Sequence, residues 1–157
     1  VTSIDPTHES WLVPLRALLD GMDAAIAEVY ARRGITGVRP RYSMALIRLH
    51  HQGSMPVKEL AAQVRVTHSA MSQTVTAMRR DGLVESAPGA DARTREVTLT
   101  AQGRELVPFL EAEWRATEAA FTELEGELPY RMTTLIQDMG TALRRRSFAD
   151  RIEAHLP

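Results

Sequence analysis

The segment HSAMSQTVTAMRR, residues 68–80, spaces His68, Ser69, Ser72, Gln73, Thr76, Arg79 and Arg80 so that a helix would bring them together. At about 100° per residue they share an arc of roughly 140°, and Ala70, Met71, Thr74, Val75, Ala77 and Met78 fall on the other side. The arc contains no acid, and Asp81 falls just past it. Hydroxyl, amide and guanidinium groups suit base edges and phosphates in a major groove, so the chemistry on offer is recognition of duplex nucleic acid. A face selected only for solubility mixes acids with its bases, as Glu111, Glu113, Glu118, Glu123, Glu125 and Glu127 do later in the chain. Arg65 and Thr67, in the break before this helix, join the candidate contacts.

Bond-breaking chemistry has no comparable set of residues. No G-x-S-x-G, H-E-x-x-H or phosphate-binding glycine loop occurs, and no catalytic activity is expected. The chain has no cysteine, which excludes disulfides, thiolate metal sites and thiol redox sensing. His50 and His51 raise a metal-responsive alternative, with Glu59 or His68 as partners. Adjacent histidines on a helix point about 100° apart and do not converge on one ion, so no metal or cofactor is expected.

These residues need a scaffold, and hydrophobic spacing supplies one. Leu15, Leu18, Leu19, Met22, Ile26, Val29 and Tyr30 mark a long amphipathic helix between Pro14 and Arg33. Pro14 either starts it or kinks a longer helix beginning near Asp5 and Pro6. A second helix is expected from Pro40 to His51. The pattern in PVKELAAQV, the break RVT and the segment from His68 then read as a helix-turn-helix ending at Gly82.

LVES and REVTLT alternate like two strands around APGAD, where Pro88 and Gly89 supply turn chemistry. The resulting hairpin projects Arg93 for insertion into a minor groove, and Asp91 is placed to orient it. Arg95 shares a face with Val97 and Leu99, which assigns its stem to the core as readily as its head to DNA. From Ala101 onward helices return, with Pro108 expected to bend the first of them.

The helix-turn-helix and hairpin together resemble the MarR family of bacterial winged-helix regulators. The resemblance rests on ELAAQVRVTHSAMSQTVTAMRRDGLVE and on DARTREVTLTAQGREL, whose Asp91, Arg93, Leu99, Thr100 and Gly103 match the family spacing D-x-R-x(5)-L-T-x-x-G. It implies a homodimer whose two lobes grip a pseudo-palindromic operator, as a repressor that responds to a ligand. Each recognition helix would then enter a major groove and each Arg93 a flanking minor groove. Two positions depart from the family pattern: Arg65 stands where the turn usually has glycine, and Ala92 where a base often follows the wing acid.

The fold class expected is mainly α with a small β-hairpin wing. One MarR-like domain spans 1–157, with dimerisation helices at 1–36 and 101–157 around a DNA-binding lobe at 37–100. Trp11, Leu15, Leu18 and Met22, with Leu135, Met139, Leu143, Phe148 and Ile152, offer the apolar stripe for a two-fold interface. The family likeness also suggests a small aromatic anion as effector, with Trp11, Arg16, Tyr30, Arg41, Tyr42, Met44 and His51 as candidate contacts. A winged helix that binds protein and never DNA is the main rival reading.

Of 157 residues, 44% are hydrophobic and 25% charged, a globular balance. Nineteen Lys and Arg against 20 Asp and Glu give a net charge of -1, so any affinity for a polyanion must be local. No membrane-length apolar run or secretion signal is visible, and a cytoplasmic location is expected.

Overall fold

Apolar spacing becomes helix almost throughout the computed structural model, which describes residues 5–89 and 95–157. Its contacts divide into two compact units, residues 1–111 and 112–157. In the first, α1 (Leu12–Arg32) holds Pro14 in its opening turn, where a missing N–H leaves no hydrogen bond unmade. Pro6 belongs to a separate 3-10 turn, Pro6–Glu9, capped by Asp5. The two prolines therefore lie in different elements, and no single kinked helix joins them.

A 3-10 turn at Pro40–Tyr42 leads into α2 (Ser43–Gln52), followed by α3 (Val57–Val64) and α4 (His68–Arg80). Between α3 and α4, Arg65 adopts φ 60° and ψ 43°, the left-handed region that favours glycine. The N–H of Val66 donates to the Ala61 carbonyl at 3.0 Å and that of Arg65 to Ala62 at 3.2 Å, closing α3 by paired terminal bonds. Among the described residues Arg65 is the sole non-glycine with positive φ. The chain thus keeps the geometry of a glycine turn and carries its strain, about 1 kcal/mol.

The wing comprises β1 (Val84–Pro88) and β2 (Arg95–Leu99), antiparallel, with Val84 opposite Leu99, Ser86 opposite Val97 and Pro88 opposite Arg95. Sequence placed Pro88 in the turn. It instead ends the strand, a position where proline's missing N–H is tolerated. The sheet also gains a contact that alternation did not reveal: Met55 and Val97 exchange backbone bonds of 3.3 and 2.8 Å. β2 is therefore bonded on both sides at Val97.

Tyr42, Leu46, Leu60, Met71, Met78, Leu83 and Leu110 are fully buried at the centre of this unit. Each such side chain contributes about 1.5–3 kcal/mol through water excluded from it. Along α4 the buried positions are Met71, Val75 and Met78, with Thr74 and Ala77 half-buried. Ala70 was expected on this side but is exposed. It lies about 100° from Met71 on the helix, at the edge of a buried stripe narrower than the polarity pattern suggests.

α5 (Ala101–Gly126) begins against the wing and runs through Pro108. Thr100 caps it: its hydroxyl accepts from the Gly103 N–H at 3.0 Å and donates to the Gly82 carbonyl at 2.7 Å. The Thr-x-x-Gly spacing is thus a joint between the end of the wing and the start of α5.

In the second unit, α5 is followed by α6 (Met132–Arg145) and α7 (Phe148–Glu153). Glu125 accepts from both the N–H and the hydroxyl of Thr133 at 2.8 and 2.9 Å, closing the first turn of α6. These bonds, the backbone one foremost, hold the Glu125 carboxyl below the usual glutamate range. Neither α6 nor α7 contains a buried residue, and Leu135, Ile136, Met139, Leu143, Phe148 and Ile152 are all exposed. In the first unit Trp11, Leu15 and Leu18 are exposed likewise, whereas Met22 is half-buried.

Candidate nucleic-acid interface

α4 begins with Thr67, whose hydroxyl accepts from the Ala70 N–H at 3.2 Å and fixes the direction in which the helix leaves the turn. Beyond it His68, Ser69, Gln73, Thr76, Arg79 and Arg80 are exposed, with Ser72 half-buried among them. The expected polar face therefore forms. The Thr76 hydroxyl donates to the Ser72 carbonyl at 2.8 Å, so toward a ligand it presents acceptor lone pairs. Arg65, at the turn, is exposed as well.

The acid nearest this face is held by other groups. Asp81 accepts from the hydroxyl of fully buried Tyr42 at 3.0 Å through one oxygen, and Arg80 approaches the other at 3.4 Å. With both oxygens engaged, Asp81 repels an approaching polyanion less than a free carboxylate would. Sequence had no means of pairing Tyr42 with Asp81, since they are 39 residues apart.

At this same end of α4, Arg79 donates from Nη2 to Ser86 Oγ at 2.7 Å, tying the last turn of the helix to β1. An open groove of about 560 Å3 lies there, lined by Val57, Arg79, Glu85, Ser86, Arg95, Glu96 and Val97. Arg95 is exposed in this groove, so its alternation with Val97 and Leu99 does not carry it into the core. The freedom from acids is thus a property of α4, and the wing brings Glu85 and Glu96 close by. Asp91 and Arg93, the expected wing tip, lie outside the described residues.

The residues expected to meet an effector are dispersed. Tyr30 is buried, with its hydroxyl 2.7 Å from Ser43 Oγ and its ring edge-on to Phe109 at 5.2 Å. Tyr42 is buried too, with the Arg41 guanidinium 5.7 Å from its ring centre. Trp11, Arg16 and Arg41 are exposed and Met44 is half-buried. Trp11 and Tyr30 are about 28 Å apart along α1, at 1.5 Å per residue, so one small molecule does not touch both within a chain. His51 pairs with Glu111 at 2.6 Å. The His50 and His51 rings stand at 85°, and among the described residues no three His, Asp or Glu side chains gather to hold a metal.

Solved structures share this fold. The model of a family described as MarR family matches residues 34–94. The M. tuberculosis transcriptional regulator MosR in complex with DNA is similar at 25% identity over 87% of this chain and 98% of its own, with a TM-score of 0.61. The S. aureus MepR–DNA complex shares the fold at 16% identity, over 87% of this chain and 96% of its own, with a TM-score of 0.63. So does the PcaV transcriptional regulator from Streptomyces coelicolor in complex with its natural ligand, at 14% identity over 94% and 99%, with a TM-score of 0.63. No curated protein matches the chain.

Proposed function

We propose that the chain is a MarR-type winged-helix transcription regulator that represses transcription as a homodimer on a pseudo-palindromic operator, a reading supported by the family match over residues 34–94 and by the likeness to MosR. On this reading it acts by binding DNA, as MosR and MepR do in their complexes with DNA, and not by catalysis. The observation that carries the reading is the exposed, carboxylate-free face of α4 from His68 to Arg80, bonded to the wing through Arg79. Ser69, Ser72 and Gln73, near the start of α4, read base edges; Arg79 and Arg80, near its end, meet the backbone. Arg93 reaches the adjacent minor groove, oriented by Asp91.

Two-fold pairing fits the apolar side chains left open on α1 and on α6 and α7, because a monomer gains nothing by exposing them. Release by a small aromatic anion fits the family, with Arg16 or Arg41 as the pairing cation. Such a ligand acts by favouring a lobe spacing that mismatches the operator. No described helix is long and apolar enough to cross a membrane.

Selection of bound duplexes from a random DNA pool tests the reading. The expected product is a pair of inverted half-sites about one helical turn apart, bound by a species of twice the 17.5 kDa chain mass. A pool from which nothing is retained at low ionic strength overturns it.

A further inference from the structure

The groove at the joint of α4 and the wing contains two arginines and two glutamates, and strand register separates them. Ser86 faces Val97 and Pro88 faces Arg95 across the hairpin. Alternate residues share a face, so Ser86 and Arg95 lie on the side where Val84, Val97 and Leu99 are buried. Glu85 and Glu96 belong to the opposite side. Ser86 and Arg95 are diagonal neighbours, about 7–8 Å apart and somewhat closer at Cβ, well within an arginine's reach. Arg79 arrives from α4 onto the same spot through its 2.7 Å bond to Ser86.

Both guanidiniums are exposed, and among the described residues neither forms an ion pair although two carboxylates border the same groove. Two like charges held on one face favour an anion between them. The Ser86 oxygen accepts from Arg79, so its own proton remains available to donate. Arg79, Ser86 and Arg95 thereby gather donors on one face, and among the described residues no carboxylate on that face pairs with them. The groove lies about 16 Å along α4 from His68, away from the end of a recognition helix that reads bases.

We infer that Arg79 and Arg95 seat a single phosphodiester of the DNA backbone between them, and that Ser86 is a positioning residue that holds Arg79 toward it. The inference rests on the DNA-binding reading above and adds one shared phosphate at the helix–wing joint. A singly charged group with two free oxygens matches two guanidiniums and one hydroxyl.

The test uses the full-length protein and the duplex recovered by selection. Affinity is followed against salt for the wild type, R79Q, R95Q, the double variant and S86A. Linkages are then neutralised one at a time with methylphosphonates. One shared phosphate means that the double variant lowers the slope of log K against log salt by about 1 per half-site, where separate phosphates would give about 2. One neutral linkage per half-site weakens the wild type about tenfold and leaves the double variant unaffected. S86A binds severalfold more weakly, stays sensitive to that linkage and keeps the wild-type slope. A wild-type scan in which no linkage matters overturns the inference and requires no variant to fold. Slope losses that add to 2, or a double variant still sensitive at every linkage, overturn it as well. If the pool yields no duplex at all, the DNA-binding reading falls first.

Discussion

Gly103 lies so close to Leu83 that a Cβ built on it would stand 2.2 Å from the Leu83 carbonyl oxygen. That carbonyl is itself occupied, accepting from the Thr100 N–H at 3.1 Å, so the backbone there has no slack to give. The start of α5 and the residue that follows the α4 turn are held closer together than a side chain at 103 would permit. Gly103→Ala should destabilise the protein by about 1–3 kcal/mol or more, as overpacking does. Urea unfolding would show this as a lowered midpoint, and an unchanged midpoint would refute the contact.

Arg65 provides the opposite case, a side chain where glycine is the easier residue. Arg65→Gly should relieve the left-handed strain and stabilise by up to about 1 kcal/mol, offset in part by glycine's greater freedom in the unfolded chain. The same change removes an exposed cation beside the recognition helix. If Arg65 meets a phosphate, the salt slope of DNA binding drops by about 1 while the melting temperature rises or holds. A variant that melts several degrees lower would show that Arg65 makes contacts worth more than its strain.

Tyr42→Phe removes one hydroxyl and leaves a part-buried Asp81 oxygen without its partner. Hydrogen bonds to charged groups contribute about 1.5–3 kcal/mol, and a loss in that range is expected in thermal or urea unfolding. Asp81→Asn, which keeps an acceptor for the same hydroxyl, should cost less. Equal losses would point to charge, and not the hydrogen bond, as what matters.

Glu125 ties stability of the second unit to pH. Its carboxyl is held below the usual range by Thr133, so the folded form binds its proton less readily than the unfolded chain does. The contribution is present above the unfolded value and is lost as pH falls through the lower, folded value. Glu125→Gln should be less stable than wild type near neutrality and converge with it in acid, losing this stretch of acid dependence. Helicity followed by circular dichroism from pH 7 to 3 would detect the difference, and superimposable acid profiles would refute it.

Much of this molecule is local and was therefore legible as sequence. The helix-turn-helix follows from the 3.6-residue spacing around Leu60 and around Met71, Val75 and Met78, because burial of one helix face leaves the remaining face determined. The polar arc from His68 to Arg80 follows from the same periodicity, and the hairpin from alternation at Val97 and Leu99. The Leu-Thr-x-x-Gly run was visible as a pattern before its cause was: Thr100 caps α5 while Gly103 lets it approach Leu83.

Tertiary structure decided what depends on residues distant in the chain. Tyr42 engages Asp81, Ser86 holds Arg79, and Met55 completes the sheet beside Val97. None of these partners lies within one turn or one strand pair predictable from spacing, so periodicity carries no signal for them. Arg95 shows the limit of alternation: it names the face but not where along the strand the core ends. Tyr30 and Tyr42 looked like pocket residues because ring and hydroxyl suit a ligand equally well, and only packing assigned both rings to the interior. Sequence determined which surfaces exist, because the solvent response of each side chain is intrinsic; the fold decided which of them meet, because contact is a property of three dimensions.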